Sequence, residues 1–295
     1  MLISVVHIRY ARGLFFSNLE FANNVHEASN VQLDLLTQVA QRYAPLILLA
    51  YMVCICIEIS VDYLLKTKLY NFDDTLQNLM MFFVNRMTGG LGGAFMFSML
   101  ALAEHFSLWK FHGMAGWIAT FLIVDFLFFV QHRFFHTDSI LAPFHEIHHT
   151  SQHYNLTTTL RASIVLPWIN PLFYFPAVIV GCDPLAVILC FSLIQVYQFF
   201  LHTQYVPSLG ILEGFFNTPS AHRVHHGDLP SQYGSNLGGV LVIWDRIFGT
   251  YMPEPEQLTY GVRGVPMEKN FFVAQVKPFS NYFKRWMKQI QKERI

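Results

Sequence analysis

The chain has 295 residues, of which 53% are hydrophobic and only 13% charged. A soluble domain carries roughly 25% charged residues, so this composition points to a chain that lives in a bilayer. A net charge of zero, with no basic stripe and no nucleic-acid motif, excludes a nucleic-acid partner.

Residues 1–42 read as a poorly defined leader. The opening MLISVVHIRYARGLFF has two arginines behind a short apolar stretch, without the charged start, apolar middle and small-residue cleavage site of a signal peptide. Apolar stretches follow that approach the roughly 20 residues a spanning helix needs. Residues 44–65, ended by Lys66 and Lys68, and 89–109, opened by a GGLGG run, make an N-terminal transmembrane region over 43–113. A third stretch, 114 to about 130, continues without a break into HRFFH. Stretches 165–181 and 184–201 are separated only by Cys182 and Asp183 and predict a helical hairpin. The expected fold is all-α, a polytopic transmembrane bundle of about four or five spans. Cys54, Cys56, Cys182 and Cys190 lie in or beside apolar runs and read as small hydrophobic residues, not as a disulfide framework.

Counting Lys and Arg near the span ends orients the bundle. Lys66, Lys68, Arg86, Arg133, Arg161 and the C-terminal region fall on one face, read as cytoplasmic, whereas the turn at Cys182 has none. Arg9, Arg12 and Arg42 oppose this assignment. Residues 141–163 and those from Asn217 onward are more polar and read as a cytosol-facing helical cap, with Thr218 and Pro219 as a helix start. In the tail, 253–295, Lys284, Arg285, Lys288, Lys292 and Arg294 interleave with Phe283, Trp286 and Ile290. That pattern fits an amphipathic helix on an anionic membrane surface, or a solvated terminus.

Fourteen histidines are the anomaly in this composition, and ten of them crowd between His132 and His226. His132 and His136 stand at i and i+4, stacked on one helical face at the end of a span. His145-Glu-Ile-His148-His149 and His222-Arg-Val-His225-His226 repeat an H-x-x-H-H pattern, and His202 closes the fifth stretch. Neighbouring helical residues diverge by about 100°, so each adjacent pair cannot readily serve one small ion. Nine candidate ligands (His132, His136, His145, His148, His149, His202, His222, His225, His226) exceed what one ion accepts and suit two. Imidazole-rich sites accept Zn, Cu, Fe or Ni. A hydrolytic zinc site would want a nearby carboxylate such as Glu146 or Asp138. His153, four residues after His149, has the spacing to join the site. Asp125, two turns before His132, is costly in a bilayer and should face inward, as an acceptor for a ligand-histidine N–H or as a structural link between helices.

At these residues the chain resembles the fatty acid hydroxylase and sterol desaturase superfamily of membrane di-iron oxygenases. The match runs over about 120–252 and includes Asp125, HRFFH, HEIHHTSQHYNLTTTLR, FNTPSAHRVHHG and NLGGVLVIWDRIFGTY. Within that superfamily it is most similar to alkylglycerol monooxygenase-like members, from which it departs at Thr137, Asp138 and Ala221. The resemblance implies a catalytic domain over 114–252 holding two Fe ions on the nine histidines, with Asp125 one layer out. It further implies O2 as co-substrate, and a membrane lipid (sterol, fatty acyl or ether lipid) that is hydroxylated or desaturated. No H-P-G-G signature of a fused cytochrome b5 is present, so the expected reductant is external, a cytochrome b5- or ferredoxin-type protein or a reduced pterin. The expected location is multi-pass in the endoplasmic reticulum membrane of a eukaryote or the inner membrane of a bacterium. Two rivals stay open on the residues alone, a histidine-based metal transporter and a zinc-dependent lipid hydrolase.

Overall fold

The structure is a computed structural model that describes residues 34–293 apart from 36, 138 and 266. The expected leader up to residue 33, together with His7, His26, Asp138 and Arg294, lies outside the described residues. The chain divides into two units, Met1–Ala50 and Tyr51–Ile295. The described part of the first is helical, with Leu46, Ile47, Leu48 and Leu49 all exposed.

Among the described residues every regular element is helical. In chain order they are α1 (Thr37–Leu65), α2 (Phe72–Glu104), α3 (Gly113–Phe135), α4 (Ala142–His149), α5 (Leu166–Ile179), α6 (Pro184–Leu201), α7 (Pro219–His225), α8 (Ile243–Phe248) and α9 (Phe271–Glu293). Short 3₁₀ turns lie at Leu156–Leu160 and Gly210–Gly214.

Of the four or five spans expected, three are long and apolar enough to cross a membrane: α1, α3 and α6. The fourth candidate, α5, is apolar but has 14 residues, which reach about 21 Å of a 30 Å hydrocarbon core. The second expected span is corrected most. Its helix does not open at the glycine run but at Phe72, where the Asn71 side chain accepts from Asp74 N and caps the first turn. Its first turns carry Asp73, Asp74, Gln77 and Asn78 and its middle carries four glycines, and it is not among the helices long and apolar enough to cross. One glycine of the run has a packing reason: a Cβ on Gly92 would stand 2.6 Å from Pro167 Cβ, so α5 approaches α2 closely there only because Gly92 has no side chain.

The main core lies where α2, α3, α5 and α6 meet, built on Leu100, Val124, Tyr174, Val178, Val187 and Ile194. The expected hairpin between α5 and α6 is present. Gly181 turns at φ 112°, against Trp109, and the Asp183 side chain accepts from Ala186 N to start α6. Cys182 and Cys190 are buried in this core, and all four cysteines are free. A second cluster joins Ile55 of α1 to Leu156, Leu160 and Phe199, with Tyr51 stacked on Phe199 at 3.8 Å. The amphipathic tail helix begins ten residues earlier than its charge pattern indicates. Its start, Phe271 and Ala274, packs with Met81 and Ile147, while Phe272, Val276, Phe283 and Trp286 stay exposed.

Candidate metal centre

Four helix ends bring the nine histidines together. His132 and His136 close α3, one turn apart with ring centroids at 5.1 Å. α4 starts on a proline in its first turn and carries His145, His148 and His149 in its last two. His202 is the C-cap of α6. α7 is capped by Thr218, whose Oγ1 accepts from Ala221 N at 3.3 Å, with Pro219 in the first turn, and it presents His222, His225 and the C-cap His226.

The rings sort into two groups. His132, His136, His145, His149 and His225 form one; His148, His202, His222 and His226 form the other, and within each the nitrogens on offer lie within 4.8 Å of one another. The adjacent pairs, 148 with 149 and 225 with 226, each contribute one ring to each group, as the angular divergence of successive helical residues requires. His153 joins neither group. His105 and His112 sit at the ends of α2 and α3 that are remote in sequence from the motifs, as C-cap and N-cap.

Hydrogen bonds to carbonyls decide the tautomers. A carbonyl oxygen only accepts, so the ring nitrogens facing one must donate. His132 Nδ1 donates to Leu237 O (2.9 Å), His148 Nδ1 to Arg161 O (3.0 Å), His202 Nδ1 to Gln198 O (2.8 Å) and His225 Nδ1 to Ser235 O (2.8 Å). Each of these neutral rings therefore turns an Nε2 lone pair inward. His148 Nε2 and His202 Nε2 lie 3.1 Å apart; with both Nδ1 atoms protonated, that is lone pair against lone pair, a repulsion that a cation between them converts into coordination. Neighbouring nitrogens at ~2.1 Å from a shared ion stand roughly 3.0 Å apart at an octahedral angle and roughly 3.4 Å at a tetrahedral one, a range that holds what is seen. His136 Nδ1 and Nε2, His222 Nδ1, His225 Nε2 and His226 Nε2 are buried with no hydrogen-bond partner. Burial depresses the basicity of these rings. His148 is pushed down to about 4, and His136, His145, His149, His202, His222, His225 and His226 are held well below the usual histidine range, first by desolvation and then by neighbouring histidines. Neutral, oriented and unpartnered imidazoles are the donor set a metal requires.

The fatty acid hydroxylase family model matches residues 117–250, a stretch that includes all nine histidines. This part of the chain belongs to the fatty acid hydroxylase family. The alkylglycerol monooxygenase of Xenopus tropicalis is 46% identical over 147 residues, 50% of this chain and 32% of the relative. That of Homo sapiens is 35% identical over 216 residues, 70% of this chain and 47% of the relative. The ornithine lipid hydroxylase OlsE of Rhizobium tropici is 30% identical over 167 residues, 54% of this chain and 49% of the relative. The chain thus matches between about a third and a half of the length of these relatives. No solved structure matches it significantly.

Within this family-matched stretch, Asp125 makes no direct hydrogen bond to a histidine among the described residues, and its partners there are structural. Its carboxylate takes the backbone N–H of Val240 (2.7 Å) and Leu241 (3.2 Å) and the indole N–H of Trp244 (2.8 Å). It acts at one remove, by pinning the loop whose Leu237 carbonyl receives His132. Asp245 holds the same loop from the other side, accepting from Leu237 N (2.7 Å), Gly238 N (2.8 Å) and Thr250 Oγ1 (2.6 Å). Burial raises the Asp245 carboxyl and these bonds oppose the rise. Gly239 is needed because a Cβ there would lie 2.6 Å from Asp125 Oδ1.

Arg161 is the second support. It is fully buried, donates through Nε to Ile147 O (3.1 Å) and Thr150 Oγ1 (2.9 Å), and reaches Asp74 (3.4 Å) and Asn78 (2.9 Å) through Nη1. Its own carbonyl orients His148, so one residue fixes both the last turn of α4 and a ring on it. Sequence reasoning assigned Arg161 only to a membrane face and gave Asp245 no role. The signal for both was present, a charged residue beside the motifs, but which carbonyl or loop each would reach depends on packing.

Two cavities adjoin the histidines. One, of about 120 Å³, is bordered by rings of both groups (His132, His145, His148, His202, His222), by apolar side chains that include Phe128, Phe144, Leu166 and Phe191, and by polar ones that include Gln131, Arg161, Asn170 and Gln198. The other, about 330 Å³, meets only the first group, at His136, His149 and His225, and is walled by Glu146, Asp228, Tyr233 and Arg263. Glu146 lies 3.5 Å from Arg285 of α9, and its carboxyl is raised by burial more than Arg285 lowers it.

Proposed function

We propose that this integral-membrane protein is an O2-dependent lipid hydroxylase whose nine histidines hold two iron ions, five on the first group and four on the second. The observation that carries the reading is the face-to-face pair of Nε2 lone pairs at His148 and His202, in a nest of buried rings whose outer nitrogens already donate to carbonyls. A set of imidazoles without thiolate suits iron, and the named relatives are a monooxygenase and hydroxylase acting on lipids. When bound, the ions would supply the redox chemistry that activates O2. One oxygen atom enters a C–H bond to give an alcohol; the other leaves as water, with two electrons and two protons from an external donor.

The protein's own residues hold and enclose. The carbonyls of Leu237, Arg161, Gln198 and Ser235 aim four rings, so no reorientation is needed when the ions bind. Phe128, Phe144, Leu166 and Phe191 give the smaller chamber an apolar stretch of wall, suited to an alkyl segment beside both groups. The larger cavity, on the polar side, is where an external reductant (a carrier protein or a reduced pterin) would approach. By the distribution of Lys and Arg that side is cytoplasmic, in the endoplasmic reticulum membrane or a bacterial inner membrane according to source.

The test is mass spectrometry of lipids incubated under ¹⁸O2 with the purified protein, with its chelated form, and with the chelated form reloaded with iron or zinc. The expected result is a product heavier by one ¹⁸O, formed only with iron. Turnover without O2, or equal turnover with zinc, would refute the proposal and favour a hydrolase.

A further inference from the structure

The chamber that touches both histidine groups has a feature that binding an alkyl chain does not require. Gln131, Asn170, Gln195 and Gln198 all stand on its wall, among phenylalanines and between the apolar helices α3, α5 and α6. An amide in such surroundings is costly unless hydrogen-bonded. Gln131 is buried and locked: its Nε2 donates to Asn170 Oδ1 at 2.9 Å, and its Oε1 accepts from Tyr174 OH at 3.1 Å. Gln198 is locked too, donating to Gly239 O at 2.6 Å. Asn170 is not. Its oxygen is taken by Gln131, which orients its Nδ2 hydrogens away from that bond, and among the described residues Nδ2 makes no hydrogen bond. The half-buried Asn170 shares this wall with His132, the immediate neighbour of Gln131 in α3. Gln195 is both on the wall and exposed, so the chamber opens beside it, six residues from the end of α6.

We propose that Asn170, held by Gln131 and Tyr174, is a specificity-determining residue that donates a hydrogen bond to an uncharged oxygen of the lipid within the chamber. The inference rests on the lipid hydroxylase reading for the identity of the ligand, and names its class: a lipid with a hydroxyl, ether or ester oxygen close to the carbon presented to the histidines. Arg161, the charged side chain of this wall, is held by Asp74 through Nη1, while its buried Nη2 has no partner among the described residues, so a carboxylate is the competing ligand that the third probe below tests.

The test uses the full-length, metal-loaded protein in nanodiscs under argon, with three probes of equal chain length: hexadecane, hexadecan-1-ol and hexadecanoate. Binding is read by competition against a fluorescent alkyl probe. The wild type should bind the alcohol about tenfold more tightly than the alkane, the order expected of one neutral hydrogen bond in an enclosed site. Asn170→Leu should abolish that preference while leaving alkane affinity unchanged, and Asn170→Ser should recover part of it. In air, the Asn170→Leu loss should show as a raised KM for the alcohol with little change in kcat. A preference that survives Asn170→Leu, an equal weakening of both probes, no wild-type preference, or tighter binding of hexadecanoate would each overturn the proposal. Because binding is measured without O2, its result is separable from the parent reading: selective binding with no oxidation in air would sink the hydroxylase and keep the subsite.

Discussion

Asp125→Ala tests whether the second layer of the site is a loop clamp. The substitution strips the acceptor from three part-buried donors at once, the N–H groups of Val240 and Leu241 and the indole of Trp244. Each buried donor left unpaired costs about 1–3 kcal/mol. The three are part-buried and share one carboxylate and one loop, so they will not add in full; about 2–4 kcal/mol is the expected loss, lowering the melting midpoint by about 8 °C at this chain length. The damage should extend to the metal, because the same loop carries the Leu237 carbonyl that fixes the His132 tautomer. Asp125→Asn keeps one acceptor oxygen and should fall between the two. The assay is thermal unfolding in detergent paired with metal analysis of each variant. A protein with Asp125→Ala that melts within 2 °C of the wild type and retains its full metal content would refute the clamp.

Gly239→Ala should reproduce the Asp125→Ala phenotype from the opposite partner, since its Cβ would meet Asp125 Oδ1 at 2.6 Å and Ile194 at 3.0 Å; unchanged stability would contradict the close approach. His222→Ala removes a ring from the four-histidine group and should reduce bound metal from about two ions per chain toward one, whereas His153→Ala should leave it at two, both read by elemental analysis. The acid response has a definite sign. The buried rings bind protons less readily when folded than when unfolded, so as pH falls below about 6.5 the unfolded chain takes up protons that the folded chain refuses. Stability is therefore complete at neutral pH and declines below 6.5; the contribution of His148 is lost progressively down to its folded value of about 4. A metal-free protein whose melting midpoint is flat between pH 7.5 and 5 would contradict the burial of these rings.

Much of the site was legible because it depends on spacing along helices. An i, i+4 pair must share a face and an adjacent pair must diverge, so the three histidine motifs already implied two clusters with the pairs 148/149 and 225/226 split between them. The capped start at Thr218 and Pro219 and the hairpin at Cys182 were equally local, set by a side-chain cap and by Gly181 and Asp183. The start of α2 was not. Its glycine run reads as a helix boundary until Pro167 of α5 is seen packed against Gly92. The tail helix likewise begins at Phe271 because that residue and Ala274 find Met81 and Ile147, partners nearly two hundred and more than a hundred residues away.

The sequence by itself therefore determined the donor atoms, their helical phases and the bilayer environment, all properties of short segments. Only the tertiary structure decided how the rings are protonated and aimed, because the carbonyls of Leu237, Arg161, Gln198 and Ser235 accept from them by position and not by residue type. The role of Asp125 was decided at the same level. A buried carboxylate must find donors, and which donors come within reach depends on the loop that folds across α3, about 115 residues further along the chain.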